Sequence, residues 1–240
     1  MQAVDSWYLK RGLKAGDLEV LVRGQFVRAR RRGKLLLLDT QLPDGGAGPV
    51  LGLRFGMTGR LVVDGSSRGG PLRPASGLVL TEHERFGVAF VDGGRLVVSD
   101  VRRLGGVELD PEVCRLGHDA ASVSQGELVK ALTASRSPLK ARVMDQAHLA
   151  GLGNLLADEV LWRAGLSPFR PAGGLTGAEI RRLHHQLRAA LTEMAERGGS
   201  HTGDLMPARV PGGKCPRDGH VLRRDKIAGR TTWWCPAHQH

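Results

Sequence analysis

Residues 140–168 read KARVMDQAHLAGLGNLLADEVLWRAGLSP. Gly151-Leu152-Gly153-Asn154 falls between two segments of helical pattern, and the second runs from Asn154 to Ala164 with Leu155, Leu156, Val160 and Leu161 apolar. A glycine pair lets the backbone turn sharply and come close to a ligand. The helix that follows offers unpaired N–H groups and the positive end of its dipole. Together they make an anion site that suits a phosphate. Asn154 is the only asparagine in the chain, and its amide could cap the helix or donate to that phosphate. A plain helix–helix turn with an Asn cap also accounts for the four residues, so on these alone both readings stay open.

Helical texture continues outward from this stretch. Ser124-Gln-Gly-Glu127 is a capping box before Leu128, Val129 and Leu132. Ser137-Pro138 places a cap residue before a proline at the first helical position. Thr176-Gly-Ala-Glu179 opens a long helix with Ile180, Leu183, Leu187, Leu191 and Met194 on one stripe, ended by Gly198-Gly199. Residues 200–213 read as a mobile Gly/Pro-rich loop.

Residues 18–109 have a different texture: short β-rich runs at Lys34–Asp39, Val50–Phe55, Arg60–Val63, Leu78–Thr81, Val88–Val91 and Arg95–Ser99. Their spacing, about ten residues, suits an antiparallel sandwich or barrel. Gly45-Gly46 and Gly69-Gly70 mark turns, and Asp92-Gly93-Gly94 fits a tight hairpin. The expected organisation is a β-sandwich lobe over 1–110, a helical domain over 111–199, a loop over 200–213 and a metal ribbon over 214–240.

The tail places Cys215, Asp218, Cys235 and His238 at the C-x2-C-x16-C-x2-C register of a four-ligand zinc ribbon, with two positions not cysteine. Cys235-x2-His238 is a good zinc half-site and Cys215 is a third ligand at the right spacing. The fourth ligand is open between Asp218, which sits in register, and His220 two residues on. Between the half-sites lies a hairpin, Val221–Asp225 and Gly229–Trp234, that presents Arg223, Arg224 and Arg230. A tail without a core of its own needs a metal, here Zn2+, to fold.

Composition narrows the partners. The 240 residues carry 35 Lys and Arg against 24 Asp and Glu, a formal charge of +11. A surplus of that size suits a polyanion, nucleic acid by default. The clusters are mostly arginine, as in Arg28-Ala29-Arg30-Arg31-Arg32 and Arg102-Arg103, and arginine is the better phosphate fork. Arginine clusters alone do not separate a DNA-binding protein from a ribosomal one. Apolar residues at 41% fit a globular chain, and three cysteines exclude a disulfide scaffold. The sequence contains no long apolar run, which predicts no membrane span, and its opening has no apolar segment of the secretory kind. A soluble cytosolic protein is expected. The sequence shows no Ser–His–Asp set, HExxH pattern or phosphate loop.

Arg54-Phe55-Gly56-Met57-Thr58-Gly59 sets Met57 between glycines at a strand-to-strand turn. Met57 reads either as an apolar wedge for a base stack or as a buried gap-filler. The pieces in this order, together with Arg31-Arg32-Gly33-Lys34-Leu35-Leu36-Leu37 and Asp100-Val101-Arg102-Arg103-Leu104-Gly105, resemble the bacterial formamidopyrimidine-DNA glycosylase / endonuclease VIII family. Residues 140–168 look like that family's helix–two-turn–helix.

The resemblance implies an α+β protein: an N-terminal antiparallel β-sandwich, then a helical domain with the helix–two-turn–helix and a β-hairpin zinc ribbon. It implies a DNA N-glycosylase with abasic-site lyase activity, acting as a monomer on double-stranded DNA with a damaged base or abasic site, with no membrane partner. By position, Lys34 matches a phosphate-binding lysine near the lesion. Asn154, with Gly151 and Gly153, matches the phosphate-gripping turn, and Arg230 the zinc-hairpin arginine. Met57, Arg102 and Leu104 match the residues that fill the hole left by base extrusion, which the chemistry requires because C1′ is shielded in the duplex.

Departures accompany the match. Leu104 stands where many relatives carry Phe, Arg54 where they often have His, and Asp218 and His238 where they have Cys. Family members begin, after Met, with Pro-Glu, whose proline amine attacks C1′; a terminal amine, of pKa about 8, is partly neutral at pH 7. Here the sequence opens Met1-Gln2-Ala3-Val4. The favoured expectation is a start downstream of the true one. The alternatives are a non-catalytic binder of damaged or abasic DNA, or an enzyme rewired to the Met1 amine, Lys10 or Lys34.

Overall fold

The computed structural model describes residues 2–3, 5–64, 83–133 and 135–240. By its internal contacts the chain falls into two units, Met1–Val113 and Cys114–His240. The expected strand Leu78–Thr81 and the turn Gly69-Gly70 lie outside the described residues.

The first unit is a β-sandwich of two four-stranded antiparallel sheets. Its strands are β1 (Gln2–Ala3), β2 (Gln25–Arg32), β3 (Leu35–Gln41), β4 (Leu51–Arg54), β5 (Gly59–Val63), β6 (Glu84–Ala89), β7 (Arg95–Asp100) and β8 (Gly106–Leu109). One sheet runs β1-β6-β7-β5 and the other β2-β3-β4-β8. Leu38, Leu51 and Leu53 from the second sheet and Phe86, Leu96 and Val98 from the first pack in one apolar cluster. Asp92-Gly93-Gly94 does turn a hairpin: Phe90 N and Gly94 O bond at 2.8 Å, and Gly93 takes φ +90.

Three expectations shift here. β2 was read only as an arginine cluster, yet it forms eight residues of edge strand whose pattern is largely exposed. One of its charges is neutralised locally, since Arg30 bonds both carboxylate oxygens of Asp39 on β3 at 2.8–3.0 Å. β8 was missed, although Gly105-Gly106 marks a turn at its start. The run expected at Val88–Val91 is β6, which lies earlier, and Val91 sits fully exposed in the hairpin turn.

The second unit is helical, with α1 (Gln125–Leu132), α2 (Leu139–Met144), α3 (Asn154–Ala164) and α4 (Gly177–Glu196). Two-residue strands β9 (His118–Asp119) and β10 (Leu149–Ala150) pair in parallel. The hairpin is β11 (Arg223–Ile227) and β12 (Arg230–Trp234). The capping boxes at Ser124/Glu127 and Thr176/Glu179 both form. Ile180, Leu183, Leu187 and Met194 bury the stripe of α4, and Gly198 and Gly199 end it at φ +102 and +138. At α2 the expected offset is wrong by one: Pro138 is itself the N-cap, and Ser137 makes no cap. Nor do residues 200–213 hang free. They form two 3-10 turns, Ser200–Thr202 and Met206–Ala208, around a fully buried Leu205.

Glu179 does double duty, capping α4 and gripping Arg170, whose Nη2 lies 2.9 Å from Oε2. Arg170 first, then the Thr176 backbone and hydroxyl, hold the Glu179 carboxyl down at about 2. A depressed carboxylate stabilises the fold above its unfolded pKa of about 4.3 and loses that contribution as pH falls towards 2. Glu179→Gln is therefore expected to lose on the order of 1–2 kcal/mol at pH 7. In urea titrations its stability should converge with the wild type near pH 2; a constant gap across that range would show that the charge does not matter.

Candidate nucleic-acid interface and metal centre

In the second unit, α2 ends at Asp145 and two turns follow. The first is closed by Asp145, whose Oδ1 accepts from Ala147 N at 3.0 Å and whose carbonyl accepts from Leu149 N at 2.8 Å. The second is Gly151-Leu152-Gly153, with Gly151 at φ +117. Gln146 staples it: Gly151 N donates to Oε1 at 3.0 Å, and Nε2 donates to the carbonyls of Met144 and Leu152 at 2.7 and 3.0 Å. Gly153 is the N-cap of α3, with no side-chain cap. Asn154 is thus the first helical residue and not a cap, and its Oδ1 is buried with no hydrogen-bond partner. Of its amide only Nδ2 could donate to an anion, beside the free N–H groups of the helix start.

Downstream on α3 the same helix carries an unusual load of buried charge. Asp158 is 2% exposed and Lys140, from α2, 0%. Lys140 Nζ lies 2.7 Å from Asp158 Oδ1 and donates to Thr231 O at 2.9 Å and Thr232 Oγ1 at 2.8 Å. Asp158 Oδ2 accepts from Trp233 N at 3.1 Å and from Arg209. Burial depresses the Lys140 pKa, and the Asp158 charge works against that. Three bonds thus fasten β12 to α2 and α3. Glu159 meanwhile accepts from the backbone N–H groups of Asp204 and Leu205 at 3.0 and 2.9 Å, which anchors the 200–213 segment.

β11 and β12 are joined by Ala228-Gly229, with φ +47 and +74, and Ile227 pairs with Arg230. Two positive φ values in a two-residue loop suit the right-handed twist of a hairpin. Arg230, Arg223 and Arg224 are exposed on it, and both strands sit one to two residues from the expected bounds.

At the hairpin base, Cys215, Asp218, Cys235 and His238 bring one ligand atom each within 4.8 Å of one another, a group that could hold a metal ion. Cys215 Sγ and His238 Nδ1 are 3.5 Å apart, Cys235 Sγ and Asp218 Oδ2 3.2 Å, and His238 Nδ1 and Asp218 Oδ2 3.2 Å. His238 Nε2 lies 3.1 Å from the Trp162 carbonyl, which makes Nε2 the protonated nitrogen and leaves the Nδ1 lone pair facing the group. Trp162 Nε1 and Arg217 N donate to Cys215 Sγ at 3.3 and 3.4 Å. The His220 N–H, the leading cause, holds the Asp218 carboxyl well below the usual range, while burial pushes the Cys235 thiol up to about 11. His220 is largely exposed and stands outside the group, so Asp218 supplies the fourth atom.

In the first unit, Met57 is 69% and Leu104 46% exposed, and Arg102 is exposed too. Met57 is therefore not a buried gap-filler. Its turn and the turn after β7 touch: a Cβ on Gly56, at φ +58, would lie 2.7 Å from the Leu104 carbonyl carbon. Lys34 is exposed at the β2–β3 turn, beside Gly33, whose carbonyl accepts from Arg31 at 2.7 Å. The structure thus groups Met57, Arg102 and Leu104, and separately ties the hairpin of Arg230 to the helix of Asn154. Reading the sequence missed Gln146, Lys140, Asp158 and Asp100. Lys140 had one usable signal, a cation on the apolar side of α2 between Leu139 and Val143.

A sandwich followed by a glycine-turned helix pair and an arginine hairpin set on a Cys/Asp/His group that could hold a metal defines a class of DNA glycosylase fold, and comparison with known proteins agrees. The family model described as the formamidopyrimidine-DNA glycosylase N-terminal domain matches residues 3–107, and that described as the formamidopyrimidine-DNA glycosylase H2TH domain matches residues 116–205. The formamidopyrimidine-DNA glycosylase of Paracoccus denitrificans is 33% identical over 246 residues, covering 92% of this chain and 85% of that one. The enzyme of the same name from Thermus thermophilus is 37% identical over 229 residues, 87% and 80% of the two chains. A Lactococcus lactis formamidopyrimidine-DNA glycosylase, solved non-covalently bound to AP-site DNA, matches with TM-score 0.76 at 25% identity, over 99% of this chain and 90% of that one. The chain belongs to the formamidopyrimidine-DNA glycosylase family. Among the described residues no helix is long and apolar enough to cross a membrane.

Removing one member of a buried ion pair strands the other. Lys140→Met is expected to cost about 3–5 kcal/mol in urea unfolding and to release β12. Amide exchange at Thr231–Trp234 should accelerate before the helices open. A loss under about 1 kcal/mol, with the hairpin still protected, would show that the pair is not what holds it.

Proposed function

We propose that this protein acts in base-excision repair, in the bacterial cytoplasm, as a DNA N-glycosylase with abasic-site lyase activity on duplex DNA carrying a damaged base or an abasic site. The observation that carries the reading is the tie through Asp158. It holds the arginine hairpin against the helix that begins at the free Asn154 amide, four residues earlier. Two phosphate grips in fixed relation suit a backbone of fixed repeat better than they suit a loose polyanion. The partner bound in the Lactococcus lactis relative supports the same reading.

Each residue then has a part. The Gly151–Gly153 backbone, the N–H groups of the α3 start and Asn154 hold one phosphate. Arg230 and Lys34 hold phosphates beside the extruded nucleotide. Met57 and Leu104 enter the vacated stack and Arg102 faces the orphaned base, which offsets the lost stacking. None of these residues is given the attack on C1′.

Anisotropy titration of a duplex with a tetrahydrofuran abasic site against the intact duplex tests this. Preference for the abasic duplex is expected, and equal affinity for both would overturn damage recognition. Asn154→Ala should weaken both by about 1–3 kcal/mol, as loss of a charge-assisted contact would. Borohydride trapping on a true abasic site is the chemical arm: an adduct supports lyase chemistry by this chain, and its absence with the preference intact assigns binding alone.

We further propose that the metal is zinc. A tetrahedral zinc with one nitrogen, one oxygen and two sulfur ligands sets its donors roughly 3.3–3.8 Å apart, and the separations of 3.2–3.5 Å fit. Zinc would fix the hairpin base and leave no open position for chemistry. Metal analysis should find one zinc per chain, and chelation should loosen β11 and β12 and weaken DNA binding. A metal-free protein with full affinity would refute the assignment.

A further inference from the structure

Asp100 ends β7 and is 0% exposed, in a chain whose acids are outnumbered 35 to 24 by basic residues. Its two oxygens are spent on two separate turns. Oδ1 accepts from the hydroxyl of Thr58, in the turn that carries Met57, and from the backbone N–H of Arg102 at 3.2 Å. Oδ2 accepts from the backbone N–H of Gly105 at 2.8 Å. Thr58 Oγ1 closes the loop by accepting from the same Arg102 N–H at 3.3 Å. One carboxylate therefore pins both ends of the turn that holds Arg102 and Leu104, and reaches across 42 residues of sequence to the other.

The packing agrees with the hydrogen bonds. Gly56 leaves no room for a side chain against Leu104, and a Cβ on Gly105 would lie 2.1 Å from the Tyr8 hydroxyl. Arg103, held at φ +54, places its Nε 2.9 Å from Asp5. Neither turn can move far without breaking a bond to the buried charge.

We propose that Asp100 is a positioning residue that joins the two turns into one rigid wedge, so that Met57 and Leu104 enter the base stack together. The proposal rests on the reading above, in which these side chains fill the vacated site. Its physical sense is entropic. Two independently mobile turns would each have to be ordered on insertion, whereas a wedge assembled beforehand has already met that cost. A carboxylate is required because only acceptors face the three donors; the amide of Asn would turn one acceptor into a donor.

Double-mutant cycles test it on the whole chain. Met57→Ala and Leu104→Ala are combined in the wild type and in Thr58→Val, with binding of tetrahydrofuran-containing and intact duplexes as the readout. In the wild type each substitution should lower the abasic-over-intact preference, with a coupling of about three- to tenfold between them. In Thr58→Val the coupling should fall close to one and the preference should drop, while affinity for intact duplex stays the same; Thr58→Ser should restore both. Asp100→Asn should repeat the Thr58→Val result with a lower melting temperature.

Coupling that survives in Thr58→Val overturns the proposal, because Gly56–Leu104 packing would then suffice. An equal loss on both duplexes also overturns it, since that marks a merely structural role. If neither Met57→Ala nor Leu104→Ala alters preference in the wild type, the wedge reading itself falls and the proposal with it. That failure is visible before the Thr58 background is used.

Discussion

The second unit depends on one buried ion pair, Lys140–Asp158. Taking both charges out of water is costly and is repaid only when every donor and acceptor is matched. Here Lys140 donates to Thr231 O and Thr232 Oγ1, Asp158 Oδ2 accepts from Trp233 N and Arg209, and Oδ1 meets the ammonium at 2.7 Å as an ion pair without a well-aligned hydrogen bond. An apolar pair of the same volume could hold α2 against α3 equally well. It could not hold the edge of β12, whose backbone offers only a carbonyl and an N–H at this point. The charge is thus used where helix must meet strand, and the result is a hairpin locked to the helix whose first turn bears Asn154.

Helix α3 then acts as a common spine. Asn154 opens it, Asp158 grips the hairpin, Glu159 anchors the chain at Asp204 and Leu205, and Trp162 touches the metal group through both its indole N–H and its carbonyl. Those contacts lie on successive turns of an element with nearly every residue from Leu156 to Ala164 buried. A displacement of α3 would move the Gly151–Gly153 turn, the arginine hairpin and the Cys215/Asp218/Cys235/His238 group together. The geometry of this unit is therefore kept by a single rigid element and not by several flexible ones.

What was legible in the sequence was local. The capping boxes at Ser124 and Thr176, the glycine stop at 198–199 and the bounds of α3 follow from neighbours within four residues, so the pattern sufficed. The metal group was legible because ligand spacing is a local signal at each half-site, and the choice between Asp218 and His220 was not, because it turns on a fold that brings residues 215 and 238 together. β2 was hidden by its composition: an edge strand with arginine on its outer positions looks like a charge cluster until Asp39 across the sheet is seen to pair with it. Gln146 and Asp100 were hidden because each works mainly through hydrogen bonds to backbone groups of nearby turns, which leave no trace in residue type. Lys140 was signalled only by its apolar neighbours, since its partners Asp158, Thr231 and Thr232 lie far off in sequence.

That last point bears on how a chain of charge +11 can fold so closely on itself. Self-repulsion among surface arginines favours expansion. The few acids that are buried counter it at the points of greatest leverage. Asp158 in one unit and Asp100 in the other each sit at the end or middle of a regular element and collect donors from segments distant in sequence. Asp158 is matched by the Lys140 and Arg209 cations it holds, whereas the neutral donors on Asp100 solvate its charge without cancelling it. Arg102 and the hairpin residues Arg223, Arg224 and Arg230 keep their charge at the surface, while Arg103 beside Arg102 is paired with Asp5. Stability and affinity for a polyanion, which compete in a strongly basic protein, are thus assigned to different carboxylates and different depths.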